Sequence, residues 1–332
     1  MSSSSPTTTT TIPVALCPLI GTPAPGNVIP ARPALAVKVD NYALGPAPNN
    51  ARPQSGLDYA DVIFEEQVEG SITRYAAVFQ CHGAPGLVGD VRSARLIDIG
   101  LLSELDSPIL VHVGGIVPVI NRIDASTLRN VDLGNYGNLD VYPPGRVAPY
   151  DTYTSTSSVW KMFRSRNTPP APIFTYSKTP HGGRPVSQIH LDWSYTSDIY
   201  WRWSKSTGTW KRYYNVNSGG GVPEIQPDVL SDGHQNQVQN VIVQLVHITF
   251  LPWFENFEGG QEVNVKIADN SGKAYVFRNG RMIVGHWSHG SLTSPTIFTD
   301  AAGKRIPLAP GRTWVEVFPN TDPVSVTYGR GK

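Results

Sequence analysis

The densest polar cluster in the chain is Glu65-Glu66-Gln67-Val68-Glu69, followed at once by Thr73-Arg74. Paired carboxylates can do general acid and base work on a glycosidic or related bond, and the separation of the two groups decides the mechanism. Glu65, Glu66 and Glu69 are therefore the candidate catalytic residues. The pattern also has a structural reading. Neighbouring strand residues point to opposite faces, so if the strand is covered on both sides at least one of Glu65 and Glu66 needs a partner, and Arg74 is the nearest cation in sequence.

Val91-Arg92-Ser93-Ala94-Arg95 places two guanidinium groups three residues apart at the expected start of a helix. Cations there oppose the helix dipole unless an anion is present, and free amides with two guanidinium forks suit a phosphate, sulfate or carboxylate. That anion is either an external ligand or one of Glu65, Glu66, Glu69 and Asp98. Arg74, Arg92 and Arg95 are the candidate ligand-binding residues, joined by His112, Gly114 and Gly115 of the His112-Val113-Gly114-Gly115 run, where glycines admit a ligand or another backbone. A lone strand histidine is more often a hydrogen-bonded core residue, so His112 ranks behind the arginines.

Trp193, Trp201, Trp203 and Trp210 fall in one short stretch. Trp201 and Trp203 share a face of an expected strand, which is a sugar-stacking platform if exposed and the core of a small β unit if buried. His286 and His289 lack a Cys or acidic partner at metal-site spacing, and residues 228–233 lack the oxygen ligands of a calcium loop, so no metal is expected. Gly-x-Ser-x-Gly, Walker and HExxH motifs are absent, which disfavours serine hydrolases of the usual kind, NTPases and zincins, and no cofactor is expected.

These groups need a scaffold, and the composition supplies one. The 332 residues are 40% hydrophobic and only 16% charged, with 31 Gly and 29 Pro, as in a turn-rich globular protein with a substantial core. Lys and Arg number 27 against 26 Asp and Glu, so no global field steers the chain to nucleic acid or anionic lipid. No apolar run approaches the ~20 residues of a membrane span.

Short apolar runs bounded by Gly, Pro and Asn predict strands over 34–39, 61–66, 72–79 and 109–113, with the strongest helix over 95–105, capped by Ser93, and shorter helices near 118–124 and 157–163. Beyond Tyr176 the runs 198–203, 241–250, 262–268, 274–278, 282–284 and 314–318 read as strands, and Asn279-Gly280 as a hairpin turn. Prolines 143, 144, 149, 169, 170 and 172 mark an irregular connection. The division expected is a tether over 1–12, an α+β unit over 13–150, a Pro-rich link over 151–175 and a mostly β unit over 176–332.

The Ser/Thr tract over 2–11 reads as a solvated tether of the kind an exported protein carries behind an anchor or signal peptide, so an anchor is expected upstream. Leu16 directly before Cys17, with no apolar leader, argues against lipid attachment at that cysteine. In an oxidising compartment Cys17 and Cys81 would form one disulfide; otherwise they are two buried thiols.

The runs Ala51-Arg52-Pro53-Gln54-Ser55-Gly56-Leu57, Ala60-Asp61-Val62-Ile63-Phe64-Glu65, Val68-Glu69-Gly70-Ser71-Ile72-Thr73-Arg74, Val91-Arg92-Ser93-Ala94-Arg95 and His112-Val113-Gly114-Gly115 occur in the order of the YerB-like family of bacterial envelope lipoproteins. Gln239-Asn240-Val241-Ile242-Val243, Arg278-Asn279-Gly280, Gly285-His286-Trp287 and Pro310-Gly311-Arg312-Thr313-Trp314 resemble its second domain. The resemblance spans about 33–319. It implies an α+β N-terminal domain of three layers, a smaller β-rich C-terminal domain, and export with anchorage at the cell surface, but no particular activity. This chain departs in an insertion over 44–50, in Ser71 for a second Gly, and in Asp90 where a small residue or proline is usual.

Two functions are expected. The first is an envelope protein binding an anionic small molecule, an envelope glycan or a protein partner through its arginines. The alternative is a carboxylate-dependent hydrolase of envelope or extracellular polysaccharide. Nucleic acid is not an expected partner.

Overall fold

The computed structural model describes residues 13–42, 48–179, 182–218, 220–255 and 259–329; the Ser/Thr tract and most of the 44–50 insertion lie outside them. The first half contributes β1 (Leu35–Asp40), β2 (Val62–Gln67), β3 (Thr73–Phe79), β4 (Val88–Gly89), β5 (Ile109–His112), β6 (Arg129–Asp132), β7 (Asp140–Val141) and β8 (Tyr153–Thr154), with helices α1 (Ile97–Leu102), α2 (Val117–Asp124) and α3 (Thr156–Met162). The second contributes β9 (Arg184–Ser194), β10 (Ser197–Ser204), β11 (Thr209–Asn215), β12 (Ile225–Pro227), β13 (Gln237–Val238), β14 (Asn240–Val246), β15 (Ile248–Phe254), β16 (Gln261–Val265), β17 (Asn270–Arg278), β18 (Arg281–His289), β19 (Ile297–Asp300), β20 (Thr313–Pro319) and β21 (Val324–Tyr328). The fold is a β-rich α+β one.

One large mixed sheet runs through both halves in the order β12-β11-β10-β9-β18-β17-β14-β20-β2-β3-β1-β5-β6. The join is β20, which lies parallel to β14 on one side and to β2 on the other. Strands buried on both faces are rich in apolar residues, and all seven residues of β20 are buried, with only Thr313 and Glu316 polar. One sheet face carries Ala36, Leu110, Ile97 and Leu101 of α1, and Val119 and Ile123 of α2. The other carries Leu35, Val37 and Val39 with Val159 and Trp160 of α3 and the tryptophans of β10 and β11. Alternation along β1 assigns neighbouring residues to opposite faces.

The hairpin expected at Asn279-Gly280 forms, with both residues at positive φ (50° and 65°) between β17 and β18. Three details differ from the sequence reading. Ser93 does not cap α1; the Asp98 carboxylate accepts from the Arg95 amide instead (2.8 Å). The apolar run 241–250 is two strands in separate sheets, because the chain breaks at His247 and β15 pairs with β16 alone. Strands β9 and β11, both paired with β10, were not expected, although Ile189, Leu191 and Trp193 of β9 alternate with polar residues as a half-buried strand does. Cys17 and Cys81 are disulfide-bonded, which ties the N-terminal segment to the residues just after β3.

Candidate functional site

Strands β1, β2, β5 and β6 all run in one direction, with β3 antiparallel between β1 and β2. Their carboxyl ends and the start of β3 therefore share one edge of the sheet. The chain before α1 closes on that edge: Arg92 N–H donates to the Lys38 carbonyl, Val113 N–H to the Arg92 carbonyl, and Ala94 N–H to the Gly114 carbonyl. Every candidate catalytic or ligand-binding residue from Glu65 to Gly115 comes to this edge, and in α/β sheets such an edge is where ligands bind. Their individual environments differ sharply.

Glu65 is fully buried and accepts two hydrogen bonds from Arg212 of β11 (2.9 and 3.1 Å), with Thr73 and the Trp314 indole adding more. Arg212 in turn binds Asp228, which also pairs with Arg52 (2.8 Å). Glu66 points to the opposite face and pairs with Lys38, whose ammonium also binds Asp98 (2.9 Å). Burial pushes Glu66 up to about 7, with Lys38 opposing. Arg74 serves neither glutamate: its guanidinium lies 3.4 Å from Glu69 and 4.0 Å from Asp40.

Glu69 is gripped side-on by Arg95, with Nε and Nη2 at 2.8 and 2.5 Å. Burial would raise Glu69, but Arg74 and Arg95 outweigh it and hold the carboxyl at about 2. Arg95 also meets Glu255 (3.2 Å) and Glu262 (3.6 Å) from the β15–β16 hairpin. Burial, reinforced by the neighbouring Glu255 carboxyl, pushes Glu262 up to about 8. The anion that the helix-start arginines call for is thus supplied internally at Arg95.

Arg92 differs. Its side chain is 26% exposed against 4% for Arg74 and 3% for Arg95, and its Nε lies 3.0 Å from Asp40. The Tyr150 ring is 6.0 Å from its guanidinium carbon, and Tyr150 stacks on Tyr42. Asp90, two residues before Arg92, does not pair with it. It is fully buried with no hydrogen-bond partner on either carboxylate oxygen among the described residues, and burial together with Asp40 raises it well above the carboxylate range.

His112 is also buried, its Nδ1 against the Gly114 carbonyl (2.9 Å) and its Nε2 against Asn130 (2.5 Å). Gly115 is favoured by its backbone: φ is 154°, which L side chains rarely adopt, and a Cβ there would also meet the end of the Ile120 side chain at 2.9 Å. The sugar platform is corrected by burial. Trp201 is fully enclosed, donates to Glu316 (2.7 Å) and packs edge-on against Trp314, while Trp203 leans on Trp210. Neither face of Trp201 is open to a ligand.

Sequence reasoning missed Lys38, Asp40, Arg212, Asp228, Glu255 and Glu262. Lys38 carried a signal, as the one charge inside the apolar run Ala34–Val39. It also missed a cluster of Asp58, Asp232 and His234, whose ligand atoms lie within 4.8 Å of one another and where His234 Nδ1 is 3.1 Å from Asp232 and 3.6 Å from Asp58. His286 and His289 part company on β18, the first exposed and the second buried against Thr296.

With this geometry in place, comparison with known proteins is informative. Residues 19–169 match the family described as "Protein of unknown function (DUF3048) N-terminal domain", and residues 189–315 match the DUF3048 C-terminal domain. The chain belongs to the DUF3048 family. It is 26% identical over 331 residues to "Putative lipoprotein YerB" of Bacillus subtilis (strain 168), covering 95% of this chain and 89% of that protein. The crystal structure of YerB protein from Bacillus subtilis shares the fold, with a TM-score of 0.76 at 23% identity, over 94% of this chain and 99% of that one. Both DUF3048 parts build the edge described above, since Arg95 belongs to the first and its partners Glu255 and Glu262 to the second. Among the described residues no helix is long and apolar enough to cross a membrane.

Proposed function

We propose that this DUF3048 chain is an exported, membrane-anchored envelope protein that binds an anionic group, on a small molecule or an envelope glycan, at the strand-end edge through Arg92. The observation that carries this reading is the contrast among the three arginines: Arg74 and Arg95 are buried on carboxylates, whereas Arg92 keeps a quarter of its side chain in solvent beside Tyr150. Arg74, Arg95 and His112 hold the edge in shape, and Gly114 and Gly115 turn the chain beneath it. Export is supported by the lipoprotein name of the relative and by the disulfide, which persists in oxidising compartments. The hydrolase alternative loses support because each of Glu65, Glu66 and Glu69 is committed to a buried cation.

The test is a thermal-shift and calorimetric screen of the full chain against inorganic phosphate, glycerol phosphate and glucuronate, beside Arg92→Ala. Binding at a hundredfold excess over Kd adds about 2.7 kcal/mol of stability, readily visible as a raised Tm. A shift with one anion that disappears in Arg92→Ala is the expected result. A cooperative melt that no anion moves would overturn the proposal for these groups.

A further inference from the structure

A second concave site lies at the outer end of the same strand-end edge, and Arg92 is not among the residues that line it. The outermost strand β6 borders a cavity of about 530 Å3, within the range of small-ligand pockets. Its polar lining comes from Asp124 at the end of α2, from Arg129, Asn130 and Asp132 of β6, and from Asn135 and Tyr136 of the turn that follows.

Strand alternation places Asn130 and Asp132 on one side of β6, with Val131 buried on the other. Asn130 is held from both sides: its Oδ1 lies 2.5 Å from His112 Nε2, and its Nδ2 donates to Asp124 Oδ1 (2.7 Å). Asp132 is fixed likewise, its Oδ1 accepting from the amides of Gly114 and Gly134 (3.1 Å each). The second carboxylate oxygen of Asp124 and of Asp132 has no protein donor among the described residues. Arg129 spans the wall, bonding the Tyr136 hydroxyl (2.8 Å) with its carbon 5.1 Å from the Phe163 ring centre.

Planar amide and carboxylate groups held in fixed orientations, next to a tyrosine ring, suit vicinal hydroxyls, which donate to one group and accept from its neighbour. Two carboxylates against one guanidinium, itself engaged with Tyr136 and Phe163, disfavour an anion and favour a neutral or amine-bearing ligand. We infer that this pocket binds a neutral or amino sugar of one or two rings, with Asp124, Asn130 and Asp132 as its hydrogen-bonding groups and His112 as the residue that positions Asn130.

This inference does not rest on the Arg92 reading, and calorimetry separates them. The full chain is titrated with glucosamine, N-acetylglucosamine, its β-1,4 disaccharide and glucuronate. At least one of the first three is expected to bind, and glucuronate, titrated into Arg92→Ala so that the Arg92 site is silent, to bind more weakly or not at all. Asp124→Ala and Asn135→Ala, both at exposed positions, are expected to weaken binding by about tenfold or more, while Arg92→Ala leaves it unchanged. Absence of binding by all three sugars to a cooperatively folded chain would overturn the inference. So would binding that both pocket variants leave intact, or that Arg92→Ala abolishes.

Discussion

Lys38 lies in the middle of a strand in which every residue is buried, and it stays charged because Glu66 and Asp98 both reach it. Burial lowers the ammonium, but the two carboxylates outweigh it, so its pKa is raised. Glu104 has no such cation. Its carboxylate accepts from the Thr296 amide (2.6 Å), with the buried His289 3.9 Å away, and burial pushes it from 4.5 up to about 7. A folded-state value above the unfolded one means that the native chain keeps a proton which the unfolded chain has released. Stability from this group is therefore full below 4.5, falls as pH rises through the window, and is lost above about 7. Glu104→Gln should flatten the Tm profile between about pH 5 and pH 8 and raise Tm at the alkaline end above that of the wild type. An unchanged slope would show that Glu104 does not titrate in this window. At this scale the sequence tells that Glu65 and Glu66 need partners, from strand alternation alone, but not which. The cations that answer them, Arg212 and Lys38, stand 147 and 28 residues away, and no local pattern encodes such a distance.

Among elements, local rules are legible wherever the determinant is local. The β2–β3 hairpin follows from two apolar runs and a short link, and the β17–β18 turn from the positive φ that Asn-Gly tolerates. The split of 241–250 into β14 and β15 was hidden because His247 breaks this mostly apolar run no more visibly than Gln244, which lies inside β14, so the pattern looks the same whether it lies in one strand or crosses from one sheet to another. The N-terminal segment belongs to neither case: residues 13–30 form no long element, and Cys17, Ile20 and Ala24 cluster with Cys81 in a small core of their own. With so little apolar area to hold it, this segment depends on the covalent bond across 64 residues. Closing a loop of that size contributes roughly 4 kcal/mol. Cys17→Ser with Cys81→Ser should lower the denaturant midpoint by a corresponding amount without changing the far-UV spectrum of the main sheet. A double variant as stable as the wild type would show that the segment is held by its packing alone.

The whole molecule is organised by β20. This strand arrives from the far end of the chain and fills the gap between β14 and β2, pairing five residues of β2 from Val62 to Glu66. Parallel pairing at such separation leaves no trace in sequence, so residues read as two successive units prove to share one sheet. The consequence is energetic as well as topological. Without the second half, β2 becomes an open edge of buried-type residues, Glu65 loses both bonds from Arg212 and the Trp314 indole, and Arg95 loses Glu255 and Glu262. Stranding a buried carboxylate such as Glu65 costs about 3–5 kcal/mol, comparable to a large part of the stability of an ordinary domain, and the bare edge invites aggregation. The full chain should therefore unfold in one transition by both calorimetry and tryptophan fluorescence, and the fragment 13–175 expressed alone should show no cooperative melt. A fragment that melts cooperatively would mean that the first half carries its own stable core and that β20 is an edge added to a finished sheet. Arg212→Met in the full chain then separates the two contributions. It strands Glu65 and leaves Asp228 to Arg52 alone while keeping the β2–β20 ladder intact, so a single transition at lower temperature assigns the coupling to the ladder, and two resolved transitions assign it to the buried ion pairs.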